Sequence, residues 1–329
     1  MKTRVDWAIE DTRWRDLLEA SPGATFFHTP GWYRARAGAL GLEVATAHLA
    51  FDDGAHALLP LAIRPLYRGL VRGAASGLEN GYGGLLSPSP LGPNHLAAAQ
   101  AAVAARFGDL EVTGNPHAPT PHVPPLGEGQ ADTTLVLPIL PAEAQLARMS
   151  GMRARHVRKA ARSGFRLEVR RAVSAADAEA FFPLYQAHAA RWNYTRWVRD
   201  RQYFRTLLDA ASPDLVLFLA YQDEQLAAFH LVGLAGEVAI QLHLATDEAA
   251  DKANVGTWLI AESLSWLHAA GLTRFDFLPS GQLTGVSAYK ASFGAEPAAF
   301  ETRRQRGWLS ETLGAIRRLK REPAWAPST

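Results

Sequence analysis

A chain of 329 residues has room for two domains of ordinary size, and with 48% apolar and 20% charged residues it has the composition of a globular protein that builds its own cores. It contains no cysteine, which excludes disulfides, thiolate metal sites and a cysteine nucleophile, and its net charge of +2 is too small for bulk nucleic-acid binding, so any basic surface is local. The opening MKTRVDWAIEDTRW lacks the apolar stretch of a signal peptide and no run approaches the roughly 18 apolar residues of a membrane span, so a cytoplasmic protein is expected.

In chain order, a short strand is expected at 5–10, a helix at 12–20, a loop at 21–29 and a second helix from Pro30, a residue suited to a helix start. Residues 42–51 and 55–65 read as strands joined by a turn at Asp52, Asp53 and Gly54. A glycine-rich stretch, 69–84, leads to a strand near 82–86, then an alanine-rich helix over 90–107 and a strand at 109–114. Residues 115–131 are proline-rich and read as loop, and the linker falls near 138–150. The second half repeats the order: a strand at 164–171, a helix at 175–191 behind Ser174 as N-cap, and a helix at 200–211. Strands follow at 214–222, 225–235 and 236–245, then an amphipathic helix over 253–270 that stops at Gly271, and the strand TRFDFL. This order is the acetyltransferase layout, a mixed sheet with a helix after its fourth strand, and it occurs twice with little residue identity between the halves.

Four passages carry a family likeness: FFHTPGWYRAR at 26–36, ENGYGGLL at 79–86, the stretch 133–169 with its basic helix, and TRFDFLPSGQLTGVSAYKASFGAEP at 273–297. Together they resemble the Fem family of peptidoglycan aminoacyltransferases and related GNAT-fold acyltransferases. The resemblance implies an α/β protein of two tandem GNAT-like domains, each a mixed sheet flanked by helices, spanning 1–140 and 141–329, with acyl transfer in the second. It implies an amine acceptor that is a phosphorylated or lipid-linked cell-wall precursor, and no permanently bound cofactor. The acyl donor is aminoacyl-tRNA or acyl-CoA. The phosphate loop of acetyl-CoA enzymes would fall at DKANVG, where Asp251 replaces the basic residue and Asn254 the first glycine, so tRNA is preferred. The long coiled-coil arm of some Fem proteins is missing, because 175–212 holds only two short helices. The same features suit a non-catalytic binding module for a phosphorylated precursor or tRNA.

Lys290, in AYKASFGA, is the first site candidate. The resemblance implies that its ammonium stabilises the oxyanion of acyl transfer, with Tyr289 at the family's aromatic position; the alternative is a lysine whose stem lies on the surface. The resemblance also implies that Arg34, two residues after Trp32, and Arg196 hold an acceptor diphosphate, with Arg199 as the neighbouring alternative. Arg153, Arg155, Arg158 and Lys159, with His156 and Arg162, recur at helical spacing and form either a phosphate- or tRNA-contacting face or a solvated one. His230, Gln241 and His243 interrupt apolar strands; alternation places Gln241 and His243 on one face, as pocket lining and a candidate base, or as structural polar residues. Asp276 either orients the amine or accepts hydrogen bonds from its own turn. Tyr82 is a site-lining phenol under the resemblance and a strand aromatic otherwise. No metal is expected, because nothing has ligand spacing with carboxylate support.

Overall fold

The computed structural model describes residues 1–192, 198–281 and 283–319, with side chains to residue 315. The first elements are β1 (Thr3–Asp6), α1 (Asp11–Ala20), α2 (Pro30–Ala39), β2 (Glu43–Phe51), β3 (His56–Leu66), β4 (Val71–Ser76), α3 (Pro93–Ala104), β5 (Asp109–Thr113) and β6 (Glu128–Pro138). Next come α4 (Ala142–Arg148), α5 (Gly151–Ala160), β7 (Arg166–Arg170), α6 (Ala175–Arg191), α7 (Arg201–Ala211), β8 (Leu215–Gln222), β9 (Gln225–Ala235) and β10 (Val238–Thr246). The last are α8 (Glu248–Lys252), α9 (Val255–Ala269), β11 (Arg274–Asp276), α10 (Thr284–Ala291), β12 (Glu296–Gln305) and α11 (Trp308–Leu319). No described helix is long and apolar enough to cross a membrane.

Two compact units form, and neither is one continuous stretch of chain. Unit 1 comprises 1–22, 40–132 and 300–329; unit 2 comprises 23–39 and 133–299. In unit 1, β1 to β4 pair antiparallel in sequence order, β4 pairs parallel with β5, and the end of β12 pairs antiparallel with β5. Unit 2 repeats this: β7 to β10 antiparallel, β10 parallel with β11, and β6 antiparallel with β11. Parallel neighbours need a crossover, and α3 and α9 supply it. The closing strand of each sheet comes from outside the helix–strand repeat, β12 for unit 1 and β6 for unit 2.

Both crossover helices bury an apolar face. Leu96, Ala99 and Val103 of α3 pack into the unit 1 core with Leu59, Leu61 and Leu110. Leu259, Ile260, Leu264 and Leu267 of α9 pack into the unit 2 core with Phe218, Val232 and Phe275. On the other face of the unit 2 sheet, Phe181 of α6 stacks on Phe229 of β9 at 4.2 Å and meets Phe204 of α7 edge-on at 5.1 Å. The start of α6 is closed by Asp177, whose carboxylate accepts from the Ser174 backbone N–H at 2.8 Å.

The strand expected near 82–86 is absent, apart from one bridge of Leu86 to Leu58. Its place in the sheet is taken by β4, VRGAAS, a sequence of low strand propensity. In ENGYGGLL, Glu79 and Asn80 have φ of 50° and 68°, turn values that no strand holds.

Segment 23–39 joins unit 2 through two close approaches. A Cβ on Gly31 of α2 would lie 2.6 Å from the Ala210 carbonyl oxygen of α7, and one on Gly233 of β9 would lie 2.3 Å from Phe26 Cγ. Both partners are rigid there, so Gly31→Ala is expected to destabilise unit 2 by about 1–3 kcal/mol through overpacking. Urea denaturation followed by circular dichroism checks this; an unchanged midpoint would mean that α2 does not press on α7.

Candidate functional site

In unit 2, β10 and β11 pair over three residues, Val238–Ile240 against Arg274–Asp276, and then part. β10 continues to Thr246, and past Ile240 no described strand pairs with it on that side. A bulge between Gln241 and His243 accompanies the parting. The extra residue reverses which face each following side chain takes. Gln241 reaches His230, which lies under α9, whereas His243 lies among Tyr185, Tyr203 and Phe204 of α6 and α7. The shared face expected for Gln241 and His243 therefore does not form.

Asp276 ends β11 at this parting. Its neighbours Phe275 and Phe277 enter the core beneath α9, so alternation turns its carboxylate to the opposite face. There Oδ1 accepts the Thr134 hydroxyl at 2.5 Å and the Leu278 backbone N–H at 2.7 Å. Leu278 takes the left-handed conformation, φ 62°, which turns its carbonyl towards α10. That carbonyl accepts from Lys290 Nζ at 2.7 Å, and the Pro279 carbonyl lies at 3.4 Å. Lys290 is only 7% exposed, so its ammonium is not a surface charge. Burial lowers its pKa to about 8, and Asp276 opposes that shift. An ammonium has three donors, and the two carbonyls engage two of them.

A second cluster stands on the face that His243 takes. The Arg36 guanidinium of α2 lies 4.4 Å from the Tyr203 ring centre, and that of Arg199 lies 4.8 Å from it. The Tyr203 hydroxyl is 3.1 Å from His243 Nε2, and the Tyr185 hydroxyl accepts the Arg199 backbone N–H at 2.9 Å. Burial, then Arg199, then Arg36 hold the His243 pKa at about 3. A base that weak takes up a proton poorly near neutral pH, which suits His243 to orienting Tyr203.

Sequence reasoning chose Arg34, but Arg34 is exposed and Arg36 is buried. Helical spacing carried the signal. Arg36 is four residues from the buried Trp32 and shares its face, whereas Arg34 is two residues away and points elsewhere. Arg196 lies outside the described residues, while Arg199 is part of the cluster. Tyr203 and Thr134 were not anticipated; each is a single polar group in an apolar stretch, with no spacing to mark it.

The basic helix, α5, divides its charges. Arg153 shares a face with Val157 and Ala160 and is buried. Its Nε donates to Ser292 Oγ and its Nη1 to Thr257 Oγ1, each at 2.8 Å, and its guanidinium lies 4.3 Å from the Tyr289 ring centre. Burial lowers the Arg153 pKa and raises that of Tyr289. The expected phosphate contact through Arg153 is therefore replaced by a clamp that ties α5 to α9 and to the end of α10. Arg155, Arg158, Lys159 and Arg162 point outward as one exposed row. In α8, just before α9, Asp251 is held by Arg191, Nη2 to Oδ2 3.4 Å, and Asn254 at the start of α9 has φ 66°.

His230 is fully buried. Its Nδ1 meets Ser263 Oγ at 2.9 Å, and burial lowers its pKa to about 3 against the pull of Gln241. It is thus part of the core under α9. Tyr82 is fully buried in unit 1, edge-on to Phe300 and His117. Its phenol belongs to that packing.

A mixed sheet that opens between its fourth and fifth strands, with a crossover helix starting beside the opening, defines unit 2 as an acetyltransferase-type α/β domain. Residues 151–291 match the acetyltransferase (GNAT) domain family. The whole chain has the fold of FemX, with TM-score 0.70 and 12% identity over 92% of this chain and 97% of that one. It is also similar to a conserved protein of unknown function from Bacteroides thetaiotaomicron VPI-5482, with TM-score 0.60 and 9% identity over 91% of this chain and 99% of that one. A third similar structure is the C-terminal domain of a candidate lysylphosphatidylglycerol synthetase from Agrobacterium fabrum, with TM-score 0.53 and 12% identity over 93% and 94%. No curated protein matches the sequence.

Proposed function

We propose that unit 2 transfers an acyl or aminoacyl group from an activated ester to an amine on a phosphorylated acceptor. The observation that carries this reading is Lys290, a buried ammonium fixed by the Leu278 and Pro279 carbonyls beside the point where β10 and β11 part. The acceptor amine bonds to the acyl carbon, the ester C–O bond breaks, and the leaving oxygen takes the proton that the amine gives up. Lys290 offers its third N–H to the carbonyl oxygen as negative charge develops there. Asp276 orients the amine. Arg36 and Arg199 hold the acceptor phosphate, because their two guanidiniums lie over one ring on this face and can offer forked donors to an anion. A cell-wall precursor has the required amine and phosphate.

Aminoacyl-tRNA fits as donor better than acyl-CoA. Asp251 is engaged by Arg191 where a CoA enzyme has a basic residue, and Gly256 at the start of α9 is closed in, since a Cβ there would lie 2.9 Å from Thr246 Cγ2. The exposed row Arg155, Arg158, Lys159 and Arg162 has no acidic partner among the described residues and matches a phosphate backbone. The test is binding and turnover with charged tRNA and with acyl-CoA. Changing the four row residues to glutamine is expected to lower the slope of log affinity for tRNA against log salt by about 3, close to one unit per lost phosphate contact. An unchanged slope, or turnover with acyl-CoA alone, would reject tRNA as donor.

A second reading is a binding module that keeps the phosphate site without the chemistry. Lys290 would then serve only to pin the loop after β11, a role its two carbonyl bonds also fit. Phosphorylated-precursor binding with no acyl transfer from either donor would favour it.

A further inference from the structure

In unit 2, α6 lies along β10, and two of its side chains meet that strand at matched intervals. Tyr185 meets the His243 ring edge-on at 5.8 Å, and His188, three residues on, meets Thr246, three residues beyond His243. Positions three apart share a helix face, so one face of α6 follows β10 to its end. Thr246 is buried and is the last residue of the strand. Its methyl group lies against the first turn of α9, where a Cβ on Gly256 would be 2.9 Å from Thr246 Cγ2. The next residue, Asp247, caps α8 by accepting the N–H groups of Ala249 and Ala250. Whatever holds Thr246 therefore sets where α8 and α9 begin.

Three groups converge on one nitrogen of His188. Nδ1 accepts the Thr246 backbone N–H at 3.1 Å, and the Thr246 hydroxyl and Arg191 Nη2 each lie 3.2 Å from it. Arg191 closes the arrangement. Its Nη2 donates to Thr246 Oγ1 at 2.9 Å and pairs with Asp251 of α8 at 3.4 Å, and its Nη1 donates to the Thr246 carbonyl at 3.3 Å. A ring nitrogen that accepts a backbone N–H carries no proton, so His188 is neutral here with its proton on Nε2. A proton on Nδ1 would set N–H against N–H and a second cation against Arg191. The Thr246 carbonyl, 3.4 Å from Nδ1, already accepts from Arg191. Burial lowers the ring's pKa from the ordinary 6.5, and Arg191 adds to this; the Thr246 backbone and Asp251 oppose it.

We propose that His188 is a positioning residue for the acyl donor: as the neutral ring it latches the end of β10, and with it the start of α9, against α6, and it lets go when protonated. This rests on the transfer reading, in which the donor enters where β10 and β11 part, beside the start of α9.

The test compares His188→Asn with His188→Leu in the full chain. Asparagine keeps an acceptor near the place of Nδ1 and does not titrate, whereas leucine offers no acceptor. With whichever of charged tRNA or acyl-CoA is turned over, the donor KM of the wild type is expected to be level above pH 6.5 and to rise about tenfold on the acid side once the ring is charged. The acceptor KM and kcat at saturation should not move. His188→Asn should keep the neutral-pH value and lose the rise, and His188→Leu should show the raised donor KM at every pH. Stability follows the same sign. The unfolded chain binds more protons just below pH 6.5, so the contribution of the latch is full above that value and is lost as pH falls; His188→Asn should lack this loss. A readout independent of turnover is the Thr246 backbone amide, whose NMR shift should follow the His188 ring titration in the wild type and stay fixed in His188→Asn. The proposal is overturned if that amide ignores the ring, if His188→Asn keeps the acid rise, or if acceptor KM rises in step with donor KM. If neither donor is turned over, the transfer reading falls and this role of His188 falls with it, whereas turnover with an amide that ignores the ring overturns this proposal alone.

Discussion

Lys290→Ala should lower kcat for acyl transfer about 100- to 1000-fold, the loss typical of one oxyanion donor, while acceptor affinity stays near that of the wild type. The ammonium is the active form, and its pKa is lowered to about 8. The rate of the wild type should therefore be full below that value and fall about tenfold per pH unit above it. The same group predicts a stability effect of opposite sense. The folded value of about 8 lies below the ordinary lysine value of 10.5, so between those two pH values the unfolded chain binds more protons. Stability contributed by this residue is thus lowest while it is charged in the fold and rises with pH across that window. Lys290→Met should flatten that rise. A rate that stays level to pH 9.5, or an alanine variant with unchanged kcat, would leave the transfer reading without its electrophilic group. If turnover and acceptor binding fall together with the melting temperature, the two carbonyls that Lys290 leaves unbonded are the cause, and the residue is structural.

Arg36→Ala is expected to raise the acceptor KM about 10- to 100-fold, as the loss of charge-assisted hydrogen bonds to a phosphate implies, with kcat at saturation little changed. Arg199→Ala should act in the same direction, and the two should not add fully, since both guanidiniums lie over one ring. Arg34→Ala is the control; its side chain is exposed, and KM should not move. A readout independent of activity is available in His243. Arg199 and Arg36 both help hold its pKa at about 3, so removing either should raise that value in an NMR titration. It should still fall short of 6.5, because burial is the larger cause. A KM that rises while the His243 titration stays fixed would mean that the arginine acts elsewhere.

Much of the fold was legible because the signals are local. Alternation marked β2, β3, β8 and β9, Gly271 marked the end of α9, and the doubled element order marked two domains of one kind. β4 was missed because VRGAAS is poor in strand-forming side chains and is held in place by its neighbours β3 and β5. A strand opening the stretch 133–169 was expected from the family resemblance and forms the second half of β6, whereas its first half, read as loop, and β12 were missed because they are placed by long-range pairing that leaves little trace in the strand itself. The site followed the same division. Asp276 and His243 stood out in the sequence as polar residues in apolar stretches and Lys290 through the family resemblance, but where each side chain points was not legible there. Arg36 and the inward turn of Arg153 were also readable, from helical spacing against Trp32 and Val157, had that spacing been weighed above the count of arginines.

The sequence by itself determined the class of domain, the helices and most strands, because these depend on periodicity, capping and composition over a few residues; that Lys290 is buried was left open there and decided by the fold. Only the tertiary structure decided which residues meet. One inserted residue in β10 sends Gln241 and His243 to different faces. Segment 23–39 leaves its chain neighbours to pack in unit 2, bringing Arg36 onto Tyr203. The reason is physical: a bulge, a bare Cα against a helix and a closing strand from a distant part of the chain are set by contacts between elements, and no window of sequence contains both partners.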